Sequence, residues 1–298
     1  MASAGARAAP YAFILLWSSS FVTARVGLAR VSPLLFVAVR LVAAAVLLGL
    51  ILAVRRQSLA PLRGRWHHLA IAGALVNGVT LSAFHVGMVT ENVGVMALLQ
   101  TLSPMLIAAS AVPLLGERLA PTQWLGLTLG AIGVLLVVAP RAFEGPAAWG
   151  AVRLGLVGAA GLAAGTVYFG RFGRGVPLIP ATAVQLGAAA ILTLGLTIVF
   201  ERPHAVWTFP ALASVVWNVL AVSVGAMALY YYMLANGTVG RVAANFYLIP
   251  GTVALLGWAL FGERLTPVAV VGFAVASGGV FLVARRPPAS TEDGHFGA

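Results

Sequence analysis

The chain has 298 residues, 61% of them hydrophobic and 8% charged, with a mean hydropathy of +1.00, so it has too little polar surface for a soluble globule and belongs in a bilayer. Its net charge of +11 comes from 18 Arg, no Lys and seven acids; without an aromatic-basic module, zinc spacing or Gly-rich phosphate loop beside them, these arginines orient helices and exclude no membrane reading, whereas nucleic-acid binding loses its support. The absence of Cys excludes disulfides, thiol catalysis and thiolate metal sites.

Residues 1–9 carry one Arg, Arg7, and lead into an apolar run without a small-residue cleavage site, which predicts an uncleaved first span. Runs of membrane length lie at 10–29, 33–54, 68–88, 94–115 and 121–139. A connecting loop is expected at 140–150, followed by five more runs at 151–170, 180–200, 211–233, 241–261 and 267–284, and by a disordered cytoplasmic tail at 285–298. The expected fold class is therefore an all-α membrane protein of ten transmembrane helices.

Gly116-Glu117-Arg118-Leu119 followed by Pro121 recurs as Gly262-Glu263-Arg264-Leu265 followed by Pro267, and Pro104 recurs as Pro250. The offset is 146 residues, and over 104–139 it gives thirteen identities in 36 ungapped positions, against about a tenth expected for so biased a composition. This is an internal duplication. Two repeats of five spans each, 10–139 and 151–284, must take opposite orientations, a 5+5 inverted arrangement around a central cavity. With the N-terminus inside, eleven arginines fall on the cytoplasmic side and six on the other, so both termini are expected in the cytoplasm.

Each repeated Gly ends a helix and each repeated Pro starts the next, which makes the Glu-Arg pair a turn. The small residues Gly126, Gly130 and Gly133, and their counterparts Gly272, Ala276 and Gly279, allow close helix approach, within the bundle or between subunits. Pro104 and Pro250 lie inside apolar runs and are expected to act as hinges, freeing the carbonyls of Gln100 and Phe246.

Polar side chains inside a bilayer face a cavity or a partner, so their positions sketch a site. The candidates for substrate binding are Trp17, Ser20, Asn77, Phe84, His85, Gln100, Ser103, Tyr168, Tyr230, Tyr231, Asn245, Phe246 and Tyr247. The amides and hydroxyls suit ammonium and carboxylate groups, and the aromatic rings suit apolar side chains. Of the ionisable residues at membrane depth, Arg40 is expected either in a buried polar contact or snorkelling, and His85 as a hydrogen bonder or a proton carrier; Glu91 lies just beyond. The spans hold no Asp and no metal-binding His-Glu helix, which excludes an aspartyl or metal-dependent intramembrane protease, and a Ser82–His85 dyad at i, i+3 on one helix has poor attack geometry.

Trp17-Ser18-Ser19-Ser20-Phe21 in the first helix, the central Pro104 of the fourth and the Leu115-Gly116-Glu117-Arg118-Leu119 turn, all within a duplicated chain, resemble the EamA-type transporters of the drug/metabolite transporter superfamily. The resemblance covers about residues 10–285, and within the superfamily the chain looks most like bacterial amino-acid exporters of the YddG kind. The second repeat departs from the first at Ala163-Ala164-Gly165-Thr166, where Trp17 to Ser20 would recur. What the resemblance implies is a cavity lined by predicted helices 1, 3, 4, 6, 8 and 9, with 5 and 10 outside. It also implies a secondary transporter in a bacterial inner membrane, exporting amino acids with apolar or aromatic side chains by uniport or weak proton linkage. A multidrug or cationic-compound exporter on the same scaffold is the alternative, followed by a channel or a membrane scaffold. No cofactor, metal or nucleic acid is expected; the partners are the small-molecule substrate and the lipid bilayer.

Overall fold

A computed structural model describes residues 4–115, 120–142, 145–173, 176–226, 229, 248–263 and 266–284. The repeated turn at 116–119, the tail at 285–298 and the candidates Tyr230, Tyr231, Asn245, Phe246 and Tyr247 lie outside them. The described residues are helical apart from short connections and one isolated antiparallel bridge, Val31 to Ala205. In chain order the helices are α1 (Ala4–Leu28), α2 (Pro33–Val54), α3 (Trp66–Gly87), α4 (Val93–Gln100), α5 (Leu102–Leu115) and α6 (Pro121–Ala142). The remainder are α7 (Pro146–Phe172), α8 (Leu178–Phe200), α9 (Phe209–Ala226), α10 (Leu248–Phe261) and α11 (Pro267–Ala284). Eight helical stretches, with α4 and the start of α5 counted as one, are long and apolar enough to cross a membrane, and α10 and α11 supply two shorter apolar segments.

The two halves of the sequence interleave. α2 packs on α8, α3 on α7 and α8, and α1 on α9 and α10, so each half buries its apolar faces largely against the other. One buried cluster, including Phe13, Phe36, Phe84, Leu98, Val253 and Phe273, runs through both.

α6 and α11, which occupy equivalent places in the duplication, pack chiefly on each other. A Cβ added at Gly133 would overlap the Ala276 backbone nitrogen, and one added at Gly279 would overlap that of Gly130. Gly272 lies against Val137 and the Gly133 carbonyl, and Gly279 against the Gly126 carbonyl. Contacts thus rise along one helix as they fall along the other, so the two chains run in opposite directions. The small-residue stripes serve packing within the chain, and bringing two backbones this close is what their missing side chains permit.

Pro104 does not sit in the middle of a continuous helix. The expected run 94–115 is interrupted at Thr101, whose N–H and hydroxyl both donate to the Leu98 carbonyl, at 2.9 and 2.6 Å. Pro104 is then the third residue of α5, while the stretch immediately before Leu248, which bears on Pro250, lies outside the described residues. A first turn tolerates Pro because its N–H would have no partner there, so the helix restarts just upstream of the ring. The same preference draws the start of α7 back to Pro146, earlier than the expected 151.

Two stretches widen to π-helix, Ala74–Val79 in α3 and Asn218–Ala226 in α9. They overlap when superposed by the 146-residue offset of the duplication. In each, a hydroxyl five residues on donates to a carbonyl of the wide turn: Thr80 to Leu75 and Ser223 to Asn218, both at 3.0 Å. Inserted residues of this kind cluster at functional sites because they offset the helix ladder locally.

Replacing Gly133 by Ala is expected to lower the stability of the detergent-solubilised protein by about 1–3 kcal/mol, an overpacking cost. Gly49→Ala, where an added methyl meets nothing within 4 Å, should leave stability unchanged or raise it, and thermal unfolding of the two variants measures the difference.

Candidate functional site

A groove of about 410 Å³ runs between α5 and α7. Leu106, Ser110 and Leu114 form one wall, and Ala160, Ala163, Ala164 and Val167 the other. Small side chains on α7 leave the room, and Tyr168, Arg171 and Phe172 close one end. There the Tyr168 hydroxyl meets His68 Nδ1 at 2.8 Å, the His68 and Phe172 rings stack at 4.5 Å, and the Arg171 guanidinium lies 5.6 Å from the Phe172 ring centroid. The end of the groove is therefore aromatic and cationic, while its length is apolar.

The opposite wall of α7 packs on α3. Gly158 and Gly161 face Phe84 and Thr80, so the stretch of α7 around Ala160 lies against the C-terminal half of α3. Phe84 itself is a packing residue, its ring against Gly158. Trp17 packs against Phe13 on α1, with ring centroids 5.5 Å apart. Ser20 and Gln100 are half-buried, and Asn77 lies in the π-helical turn of α3. Ser103 is fully buried and its hydroxyl has no partner. Tyr168 is the predicted residue that lines the groove.

A second polar group links α1, α2 and α9. Arg40 Nη1 donates to Asn218 Oδ1 at 2.8 Å; Asn218 Nδ2 donates to Thr23 Oγ1 at 2.9 Å and to the Ser214 carbonyl at 3.0 Å. The Ser214 hydroxyl donates to the Thr23 carbonyl, and Trp217 Nε1 to Ser19 Oγ at 2.8 Å. Arg40 is therefore buried in a polar contact and does not snorkel. Its Nε has no partner, and neither do the Ser82 hydroxyl nor His85 Nε2 on α3. The His85 ring stacks on Phe36, one helical turn before Arg40, at 5.6 Å.

The described carboxylates are engaged elsewhere, at helix starts. Glu201, just after α8, accepts from Ser32 Oγ at 2.8 Å and from the backbone N–H groups of Leu34 and Leu35 at 3.0 and 2.9 Å, which caps α2. Glu263, just after α10, accepts from the Val93 N–H at 3.3 Å and caps α4, while Glu91 accepts from the Asn92 N–H at 2.8 Å. Burial raises the Glu263 carboxyl above the ordinary carboxylate range, and the Val93 and Gly94 N–H groups and Arg25 pull it part of the way back.

A helical chain with interleaved, duplicated halves and an apolar groove invites comparison with known transporters. The model of the EamA-like transporter family matches residues 9–139 and again 149–285. The chain belongs to this family. YedA, named as an inner membrane transporter of Escherichia coli (strain K12), is 27% identical over 279 residues, which are 92% of this chain and 88% of YedA. A Streptantibioticus cattleyicolor protein named "Probable terminal-alkyne amino-acid exporter" is 28% identical over 285 residues, covering 92% and 91% of the two chains. One crystal structure superposes with a TM-score of 0.67 over 95% of this chain and 98% of its own at 22% identity, a likeness of fold. The family and these names point to transport across a membrane and not to catalysis.

An Ala164→Phe variant, whose ring occupies the groove, is expected to lose about tenfold or more of the wild-type flux in proteoliposomes while keeping its melting temperature. Unchanged flux would place the groove off the transport path.

Proposed function

We propose that this protein is a secondary transporter of a bacterial inner membrane that exports amino acids with apolar or aromatic side chains by alternating access, as a uniporter or with weak proton linkage. The observation that carries the reading is the placement of charge. Every described carboxylate lies outside the apolar helices and accepts hydrogen bonds at a helix start, whereas the groove is apolar and has Arg171 at its end. A cationic drug would meet no counter-charge there, while an apolar side chain would be desolvated against Leu106, Leu114 and Val167. The name of the Streptantibioticus relative supports the same substrate class.

The ten-helix inverted 5+5 arrangement draws support from the duplication and from the opposed directions of the equivalent helices α6 and α11. Both termini lie in the cytoplasm, on the side of the more numerous arginines. The groove ends at Arg171 on that side, near His68 and the arginine-rich gap before it, and receives substrate from within the cell. The Arg30 and Val31 backbones pair with Val206 and Ala205, so those loops share the outer face.

Proteoliposomes test function and sidedness in one preparation. Radiolabelled phenylalanine and leucine are expected to move and to compete with one another, with little response to a pH gradient. In the same vesicles, the natural absence of cysteine lets probes at Arg56→Cys and Arg202→Cys, both exposed positions, report opposite faces, the first cytoplasmic. Flux of cationic dyes without any amino-acid flux or competition would replace this reading with a multidrug exporter. Labelling of both positions from one face would overturn the topology.

A further inference from the structure

Arg40 poses a physical problem that the packing around it leaves open. The residue is 6% exposed, about 10 Å along α2 from its N-terminus, and a guanidinium keeps its charge in any protein environment. A charge so placed needs a counter-ion or a full set of hydrogen-bond acceptors. It has one amide oxygen, from Asn218, and its Nε–H points at nothing. Asn218 gives no further help, since both its N–H groups already donate, to Thr23 and Ser214. Among the described residues no carboxylate pairs with Arg40.

Two more unpartnered groups lie on α3, which packs against α2. His85 is 3% exposed and Ser82 5% exposed, and their three-residue spacing puts them on one face of the helix. Phe36 ties that face to Arg40: it is one turn from Arg40 on α2 and stacks on His85. His85 Nδ1 faces the Leu81 carbonyl at 2.7 Å. Only an N–H satisfies a carbonyl, so in the neutral ring the proton sits on Nδ1 and Nε2 is left as an acceptor. The cluster thus offers a cationic donor, a neutral acceptor and a hydroxyl that does either, each on a side chain more than nine-tenths buried and each with one polar atom that has no partner.

We propose that Arg40, His85 and Ser82 bind the zwitterionic head of an amino acid. The Arg40 guanidinium takes the α-carboxylate, which supplies the missing counter-charge, and His85 Nε2 accepts a hydrogen bond from the α-ammonium. The Ser82 hydroxyl completes the set on either group. Phe84, next to His85, packs on Gly158 of α7, so the cluster lies on the α3 side of that helix and the α5–α7 groove beyond it. This assignment rests on the amino-acid reading of function and adds the residues that recognise what all amino acids have in common. It also gives the buried arginine a role that the fold alone does not require.

The test is a thermal-shift titration of the purified protein with three probes of one side chain: L-phenylalanine, L-phenylalaninamide, which lacks the carboxylate, and 3-phenylpropionate, which lacks the ammonium. Phenylalanine is expected to stabilise the wild type at the lowest concentration, and the amide to need about tenfold more or above. In Arg40→Gln, phenylalanine should fall to the level of the amide. Ser82→Ala covers the case in which Arg40→Gln does not fold. Its hydroxyl has no partner in the unliganded protein, so the unliganded melting temperature should hold or rise while the affinity for phenylalanine drops about three- to tenfold. A wild-type response to the amide equal to that to phenylalanine, or variants that bind phenylalanine as the wild type does, would overturn the assignment and leave amino-acid export standing. Arg40-dependent binding of 3-phenylpropionate with no response to phenylalanine or leucine would instead overturn the amino-acid reading, and His85's role with it.

Discussion

The first turn of a helix presents backbone N–H groups that have no partner within the helix and must find an acceptor outside it. Glu201 resolves this for α2 by accepting from the Leu34 and Leu35 amides and from the Ser32 hydroxyl at once. The carboxylate also interacts favourably with the positive end of the helix dipole. Because Glu201 follows α8 directly, the cap fixes the start of α2 to the end of α8, along which α2 packs. The depth of Arg40, seven residues further, follows from that anchor. Glu263 ties α4 to α10 in the same manner, so in both cases a carboxylate from the second half of the chain holds a helix of the first.

Once the described acids are committed to helix starts, the apolar helices carry positive charge without negative. That constraint separates the candidate substrates. A cation meets no counter-charge in such an interior, whereas the zwitterion proposed above brings its own carboxylate to Arg40. The two π-helical turns, at equivalent places in α3 and α9, sit beside these features: Ala74–Val79 precedes Ser82 and His85 by one to two turns, and Asn218, the partner of Arg40, opens the other.

Much of this was legible in the sequence. Apolar runs and Arg-rich gaps located the helices because lipid imposes a length and a composition on every crossing. The 146-residue offset located the repeat, and the Gly126, Gly130 and Gly133 stripe with its counterpart marked the α6–α11 contact. Local irregularity was less legible. Pro104 read as a kink within a helix, whereas the chain broke three residues earlier, where Thr101 could satisfy the loose carbonyl with its own hydroxyl. The π turns left no trace in the hydrophobic period. Long-range partners were not legible at all: nothing near Glu201 announces that it caps Leu34 and Leu35, and nothing near Arg40 announces Asn218. Of the candidate site residues, His85 and Ser103 are buried with an unpartnered polar atom each, and Phe84 packs against Gly158.

The dependence of the fold on acids placed at helix starts is measured most directly by thermal unfolding of Glu201→Ala, with amino-acid and dye flux followed in the same variant. The expected result is a loss of about 1–3 kcal/mol, because two backbone N–H groups and the Ser32 hydroxyl lose a charged acceptor, with the preference for amino acids over cationic dyes unchanged. A wild-type melting temperature accompanied by a changed selectivity would contradict it, since Glu201 would then be acting on the substrate and not on α2.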